Sequence, residues 1–156
     1  METEKLDLRL MSRTLQLAQG AKTAGEVPVG ALIYDPVGEK IIAEAANAPI
    51  ISHDPTAHAE INAIRAAGEH LGNYRLGGLW LYVSLEPCAM CAGAIAHARI
   101  ARLIFGASDK KGGAVISGTQ FFDQPTCHWK PDVTGGILAD ESAALMRAFF
   151  KARRKS

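Results

Sequence analysis

His58-Ala59-Glu60 and, further along, Pro87-Cys88-Ala89-Met90-Cys91 are the residues of this chain whose types and spacing can do chemistry. Zinc takes imidazole nitrogen and thiolate sulfur, and a site with three protein ligands keeps a fourth position for water, as catalytic zinc sites do. His58, Cys88 and Cys91 make three such ligands. Two thiolates offset the charge of the dication and a neutral imidazole adds none, so a metal held this way is a tempered Lewis acid that benefits from a nearby base. Glu60, two residues past the candidate ligand and with no cationic neighbour in sequence, is the group to take a proton from water and return it to a leaving group.

Each piece taken alone has a plainer reading. A C-x-x-C pair also serves structural zinc, redox chemistry or simple packing of two small apolar residues. A lone His near a helix start is commonly just a hydrogen-bonded side chain, and a first-turn carboxylate is favoured by the helix dipole. All of these would have to hold at once here, with a proline just ahead of both elements, so the joint catalytic reading is preferred.

The elements that must position these residues follow from periodicity and turn chemistry. Leu8, Met11, Leu15 and Ala18 recur at helical spacing between Leu6 and about Thr23, which predicts a first helix stopped by Gly25. Two apolar runs, Val29 to Tyr34 and Lys40 to Ala45, flank the turn sequence Asp35-Pro36-Val37-Gly38 and predict an antiparallel hairpin. Asp54-Pro55 then predicts a helix start, Asp as cap and Pro in the first turn, with His58 and Glu60 early in that helix. Side chains two residues apart on a regular helix project to nearly opposite faces, so both reach one metal only at the helix's N-terminal end. Leu79 to Leu85 is too uniformly apolar for a half-exposed strand and is expected at the centre of a sheet. Cys88 and Cys91, at i and i+3, share a face and begin the helix that follows. Two helix N-termini thereby aim at one metal, their positive ends helping to hold thiolates. Arg102 to Ala107 reads as a further strand and Ile137 to Arg153 as a closing helix, while Gly112 to Gly136 has no assignable element. Strands and helices alternate after residue 54, so the expected fold class is α/β, a three-layer α/β/α sandwich with a mixed central sheet.

Length and composition set the outer bounds. At 156 residues, 48% apolar and 21% charged, the chain is expected to form a single globular domain over residues 1–156. No run approaches the roughly 18 apolar residues that span a bilayer, and Met1-Glu2-Thr3-Glu4-Lys5 is no signal peptide, which predicts a cytoplasmic protein without membrane association. Three cysteines do not make a disulfide framework. Cys127, beside His128 but without a spaced partner pair, reads as packing. A net charge of +1 gives no global argument for nucleic acid. Local basic clusters do exist, at Lys110-Lys111 and at Arg147, Lys151, Arg153, Arg154 and Lys155, although composition alone makes the second a solvated helix end.

With these residues in view, the chain closely resembles the bacterial tRNA-specific adenosine deaminases of the cytidine deaminase-like superfamily. The resemblance runs through Glu26-Val27-Pro28-Val29-Gly30-Ala31, Asn47, His53-Asp54-Pro55-Thr56-Ala57-His58-Ala59-Glu60, Asn73-Tyr74-Arg75-Leu76 and Leu85-Glu86-Pro87-Cys88-Ala89-Met90-Cys91-Ala92-Gly93. Phe105-Gly106-Ala107, Asp109, Gly136-Ile137-Leu138-Ala139-Asp140-Glu141 and the Phe149-Phe150 end extend it. H-x-E with P-C-x-x-C marks only the superfamily, in which the Glu is a proton shuttle and not a ligand. The Glu-Val-Pro-Val-Gly-Ala stretch, the Asp-Pro-Thr-Ala-His-Ala-Glu start and the basic tail are more diagnostic.

This resemblance implies one zinc ion (Zn2+) per subunit on His58, Cys88 and Cys91, Glu60 as the catalytic proton shuttle, and Asn47 as a substrate-binding contact to a flipped base. It further implies a homodimer with active sites near the interface, a tRNA anticodon loop as partner, and inosine at the wobble position of an arginine tRNA as product. A backbone N–H near Ala59 or Cys88 is the candidate to orient the reacting oxygen. On sequence alone Asn47 reads equally as a turn residue after a strand. Between Gly112 and Pro131 the chain departs from the commonest family pattern, so substrate contacts are not carried over there. Phe121, Phe122 or Trp129 in that stretch could stack on loop bases, with core packing the expected role of at least two of them.

Two other functions fit parts of the sequence. A deaminase of a free base or nucleoside such as guanine or cytosine would keep zinc and Glu60 while being indifferent to the basic tail and to salt. A nucleic-acid-binding or scaffolding protein with structural zinc would tolerate Glu60→Ala, and the proton shuttle argues against it.

Overall fold

The computed structural model describes residues 2–154. In chain order the elements are α1 (Glu2–Thr23), β1 (Gly30–Asp35), β2 (Lys40–Ala46), α2 (Pro49–Ser52), α3 (Ala59–Leu71), β3 (Trp80–Leu85), α4 (Ala89–Ala98), β4 (Arg102–Ala107), a 3-10 turn (Phe121–Asp123), β5 (Asp132–Thr134) and α5 (Ala139–Arg154). The strands form one sheet in the order β2-β1-β3-β4-β5, with β3 in the middle as its uniform apolarity predicts. β1 runs antiparallel to β2 and β3, while β3, β4 and β5 are parallel.

Side chains alternate across a strand, and that alternation divides the core in two. Ala31, Ile33, Leu81, Val83, Leu103 and Phe105 face the layer of α3 and α4, where Ala59, Ala63, Ala67, Ala92 and Ile95 meet them. Leu32, Tyr34, Tyr82 and Ile104 face the other way, onto Leu10 and Met11 of α1. With α5 packed against β4 and α1, the result is the expected mixed α/β/α sandwich. The alanines of α3 and α4 keep those helices close to the sheet. Gly30 does the same for α1, since a Cβ there would lie 2.7 Å from the Ala18 nitrogen.

Three expectations need correction. The buried stripe of α1 is Asp7, Leu10, Met11, Thr14, Ala18 and Ala21, whereas Leu8 is exposed and Leu15 only partly buried. The stripe is rotated because its first member is polar: Asp7 takes a bidentate contact from Arg102 at 2.7 and 2.6 Å and the Tyr82 hydroxyl at 2.6 Å. Burial, then Asp7, pushes the Tyr82 phenol upward. Secondly, α3 begins at Ala59 and not at Pro55. Asp54 caps a tight turn instead, its Oδ1 accepting the Thr56 N–H at 2.9 Å and the Thr56 hydroxyl at 2.7 Å. Thirdly, the unassigned stretch contains the 3-10 turn and the edge strand β5, three residues long and too short to carry a period.

Phe122 is buried and Phe121 packs on the core, the two rings edge to face with centroids 6.0 Å apart. Trp129 is more open, its Nε1–H donating to the Ile100 carbonyl at 2.8 Å. Cys127 packs partly buried, its thiol 3.1 Å from the Trp129 carbonyl oxygen. Among the described residues, no helix is long and apolar enough to cross a membrane.

Candidate active site

The N-terminal end of β1, the C-terminal ends of β2, β3 and β4, and the starts of α3 and α4 lie at one end of the sheet. His58 is the N-cap of α3 in extended conformation, with φ −70° and ψ 155°, and Cys88 is the N-cap of α4, with φ −76° and ψ 176°. That placement meets the geometric constraint on His58 and Glu60. His58 sits before the first turn and Glu60 within it, so the two converge at the helix end where regular helical spacing would have separated them.

The Cys88 and Cys91 sulfurs lie 3.6 and 3.5 Å from His58 Nδ1. One ligand atom from each of the three residues falls within 4.8 Å of the others. A soft imidazole–dithiolate donor set this compact fits zinc with a position left for water. The contact from the Cys91 thiol draws the Cys88 thiol down to about 5 against the effect of burial, and the same contact pushes Cys91 up. One thiolate is thus already favoured at the N-terminus of α4, where the helix dipole suits an anion.

Glu60 is 4% exposed yet lines the adjoining cavity. Burial raises its carboxyl to about 7, opposed by a hydrogen bond to its own backbone. A carboxyl that changes protonation near neutrality beside a metal site is suited to carry protons both ways.

Asn47 follows β2 and borders the same cavity. Its Oδ1 accepts the Ala59 N–H at 2.7 Å, and its backbone N–H donates to the Val29 carbonyl at 3.0 Å. The Ala59 N–H itself is thereby withdrawn as a donor for the reacting oxygen. Since Oδ1 accepts, Nδ2 is the remaining polar atom of Asn47 beside the cavity.

The cavity measures roughly 750 Å³. Val27, Val29 and Leu85 supply apolar wall, Asp109, Lys111 and Gly112 a polar rim, and Met146, Arg147 and Phe150 of α5 the far side. Val27, Val29, Leu85, Asp109 and Phe150 enter the sequence reading only within the family resemblance or as strand ends, and Lys111 and Arg147 only within basic clusters, while Gly112 and Met146 carry no chemical signal there. Glu86 and Glu26, two buried carboxylates, were also missed as individual residues. Glu26 accepts the N–H groups of Ile50 and Ile51 at 3.2 and 2.9 Å and so fixes α2, whose Pro49 borders the cavity. Of the basic tail, Lys151, Arg153 and Arg154 are exposed, and Lys155 lies outside the described residues.

A zinc-ligand triad at two helix starts, with a buried carboxyl beside it at the end of a mixed sheet, is the arrangement of a nucleobase-type zinc deaminase. The chain belongs to the cytidine and deoxycytidylate deaminase family, whose zinc-binding region model matches residues 4–107. Within that family it is similar to the tRNA-specific adenosine deaminase of Haemophilus influenzae, 48% identical over 97% of this chain and 87% of that protein. The tRNA-specific adenosine deaminase of Agrobacterium fabrum is 51% identical over 92% and 93% respectively. A solved structure from a study of A-to-I editing by tRNA:A34 deaminases at the wobble position superposes with a TM-score of 0.84 at 51% identity, covering 86% of this chain and 96% of that one.

Proposed function

We propose that this protein hydrolyses adenosine to inosine, with release of ammonia, at the wobble position of a tRNA anticodon loop, an arginine tRNA being the substrate. The similarity to two tRNA-specific adenosine deaminases over nearly the whole chain is the observation that carries this reading. It extends to one domain over residues 1–156, acting in the cytoplasm as a homodimer. Exposed Ile50 and Ile51 on α2 and exposed Met90 on α4 support a partner surface near the cavity.

In this mechanism His58, Cys88 and Cys91 hold zinc, which when bound supplies Lewis acidity to activate water. The remaining steps belong to the protein. Asn47, immobilised through Oδ1, offers its Nδ2–H₂ to an acceptor on the base edge. Glu60 accepts a proton as water adds at C6, delivers it to the adjacent ring nitrogen, and passes a second proton to the departing amine. Val27, Val29 and Leu85 exclude bulk water around the base and so strengthen these contacts. Lys111 at the rim and Arg147 on the α5 side of the cavity suit the flanking phosphates.

The test is inosine formation in an arginine tRNA transcript carrying adenosine at the wobble position, with Glu60→Ala as control and ammonia release from guanine, cytosine and adenosine measured in parallel. Inosine at that one position, absent in the control, is expected. Ammonia from a free base without inosine in the tRNA would overturn the substrate assignment.

A further inference from the structure

Glu86 has no role in the mechanism above, yet it is the most heavily hydrogen-bonded side chain near the cavity. It sits between β3 and Cys88 and is 3% exposed. Its Oε1 accepts the Asp109 N–H at 2.8 Å and the Ser117 hydroxyl at 2.9 Å. Its Oε2 accepts the N–H groups of Val115, Ile116 and Ser117 at 3.0, 2.9 and 2.9 Å. Four backbone N–H groups and one hydroxyl thus converge on a single buried carboxyl, which they satisfy and hold in place.

Those donors bracket the segment 109–117, part of which forms the cavity rim at Asp109, Lys111 and Gly112. The segment has little regular structure to hold it. Two further bonds close it onto the same point: the Ala114 N–H donates to the Pro87 carbonyl at 2.9 Å, and the Gly113 N–H to the Asp109 carbonyl at 2.8 Å. Gly113 is a consequence of the packing, since a Cβ there would stand 2.5 Å from both the Glu86 carboxyl carbon and the Asp109 carbonyl oxygen.

We infer that Glu86 is a positioning residue, which locks the RNA-facing rim 109–117 to the start of the metal-ligand helix α4 and so sets KM for the nucleotides flanking the reacting base. The RNA half of this inference rests on the tRNA reading above. Anchoring of the rim does not.

The experiment compares zinc-loaded wild type, Glu86→Gln and Gly113→Ala by zinc content, amide hydrogen exchange and steady-state kinetics on a tRNA substrate. In Glu86→Gln the amide NH₂ must face donors on one side. The Ser117 hydroxyl can turn to accept it but the Asp109 N–H cannot, so the Gln oxygen takes the Oε2 place and the Asp109 bond is broken. Asp109 is therefore expected to exchange about tenfold faster or more, with smaller increases at residues 115–117 and none in α3. Zinc content is retained, and KM for the tRNA rises about tenfold with a smaller change in kcat. Gly113→Ala, which displaces the same segment while leaving the carboxylate, gives the same KM shift, and the double variant is less than multiplicative.

Unchanged exchange at Asp109 and 115–117 would overturn the anchoring. Loss of zinc, or a fall in kcat at constant KM, would overturn the positioning role in favour of a structural one. A wild-type protein forming no inosine would overturn the tRNA reading and the RNA half of this inference, while the exchange arm still decides whether Glu86 holds the rim.

Discussion

The side-chain oxygen of Asn47 lies 2.7 Å from the Ala59 amide nitrogen, so a residue beside the cavity also holds the start of the helix that carries Glu60. Of the two roles that the sequence left as alternatives for Asn47, this bond is the backbone-satisfying one, and the proposed contact to the base would fall to Nδ2. The two separate experimentally. Asn47→Asp keeps an acceptor for Ala59 but removes the Nδ2–H₂ donor, whereas Asn47→Ala removes both. Both are expected to lower kcat/KM for the RNA about 10- to 100-fold, as removal of one buried polar partner does, while only Asn47→Ala lowers the thermal midpoint. Steady-state kinetics beside calorimetry check it.

Glu60→Gln retains shape and removes the proton carrier. Turnover should fall by about 10²- to 10⁴-fold, the range a positioned general acid–base supplies. Zinc content should be unchanged, and the fold should be no less stable, because a neutral amide replaces a buried carboxyl. A variant that loses metal along with activity would place Glu60 among the ligands.

Chelation should abolish activity and lower the melting temperature together, because a metal bound only by the folded chain stabilises it in proportion to RT ln(1 + [L]/Kd). Cys88→Ala and Cys91→Ala should each reproduce the loss of metal, whereas Cys127→Ala should not. Metal analysis of the three purified variants provides the check.

On the opposite face of the sheet, Asp7→Asn keeps an oxygen at Oδ1 to accept from Tyr82 but removes the charge of the buried ion pair with Arg102 and the Oδ2 acceptor of Arg102 Nη2. A destabilisation of about 3–5 kcal/mol is expected, because the guanidinium is left without its counter-charge. Tyr82→Phe should cost only about 1 kcal/mol. Neither residue borders the cavity, so KM should stay constant in whatever fraction remains folded. Urea unfolding and kinetics on the same samples give the answer.

The basic side chains of α5 are not equivalent. Arg153 donates to the Gly25 carbonyl at 3.3 Å and lies over the Phe149 ring, whereas Arg147 borders the cavity and Arg154 is exposed. Neutralising Arg147 and Arg154 should raise KM for the tRNA. It should also lower the slope of log KM against log salt, by about 0.7 for each phosphate of a single-stranded loop that the protein no longer neutralises. Deamination of free adenosine, where measurable, should keep its salt response.

Residue type and local spacing pointed to His58, Cys88 and Cys91 as a metal-ligand set and to Glu60 as the carboxyl beside it, and predicted the central strand β3, the β1–β2 hairpin and the layered α/β class. These rest on short-range rules: ligand chemistry, period-2 and period-3.6 burial, and turn residues. The onset of α3 went astray because Asp54 and Pro55 suit a capped turn as well as a helix N-terminus. The choice fell to contacts from elsewhere in the chain, Asn47 on Ala59 and the Ala48 N–H on the Ala57 carbonyl. The burial of Asp7 was invisible for a similar reason: its partners Tyr82 and Arg102 are distant in sequence, and a charge enters a core only where such partners already wait. Glu86 and the 109–117 rim belong to the same kind. Nothing local distinguishes that carboxylate from a solvated one until the tertiary fold brings four backbone N–H groups and a hydroxyl onto it. Sequence thus determined which chemistry the chain can perform, and only the packing decided how the cavity around that chemistry is walled and held.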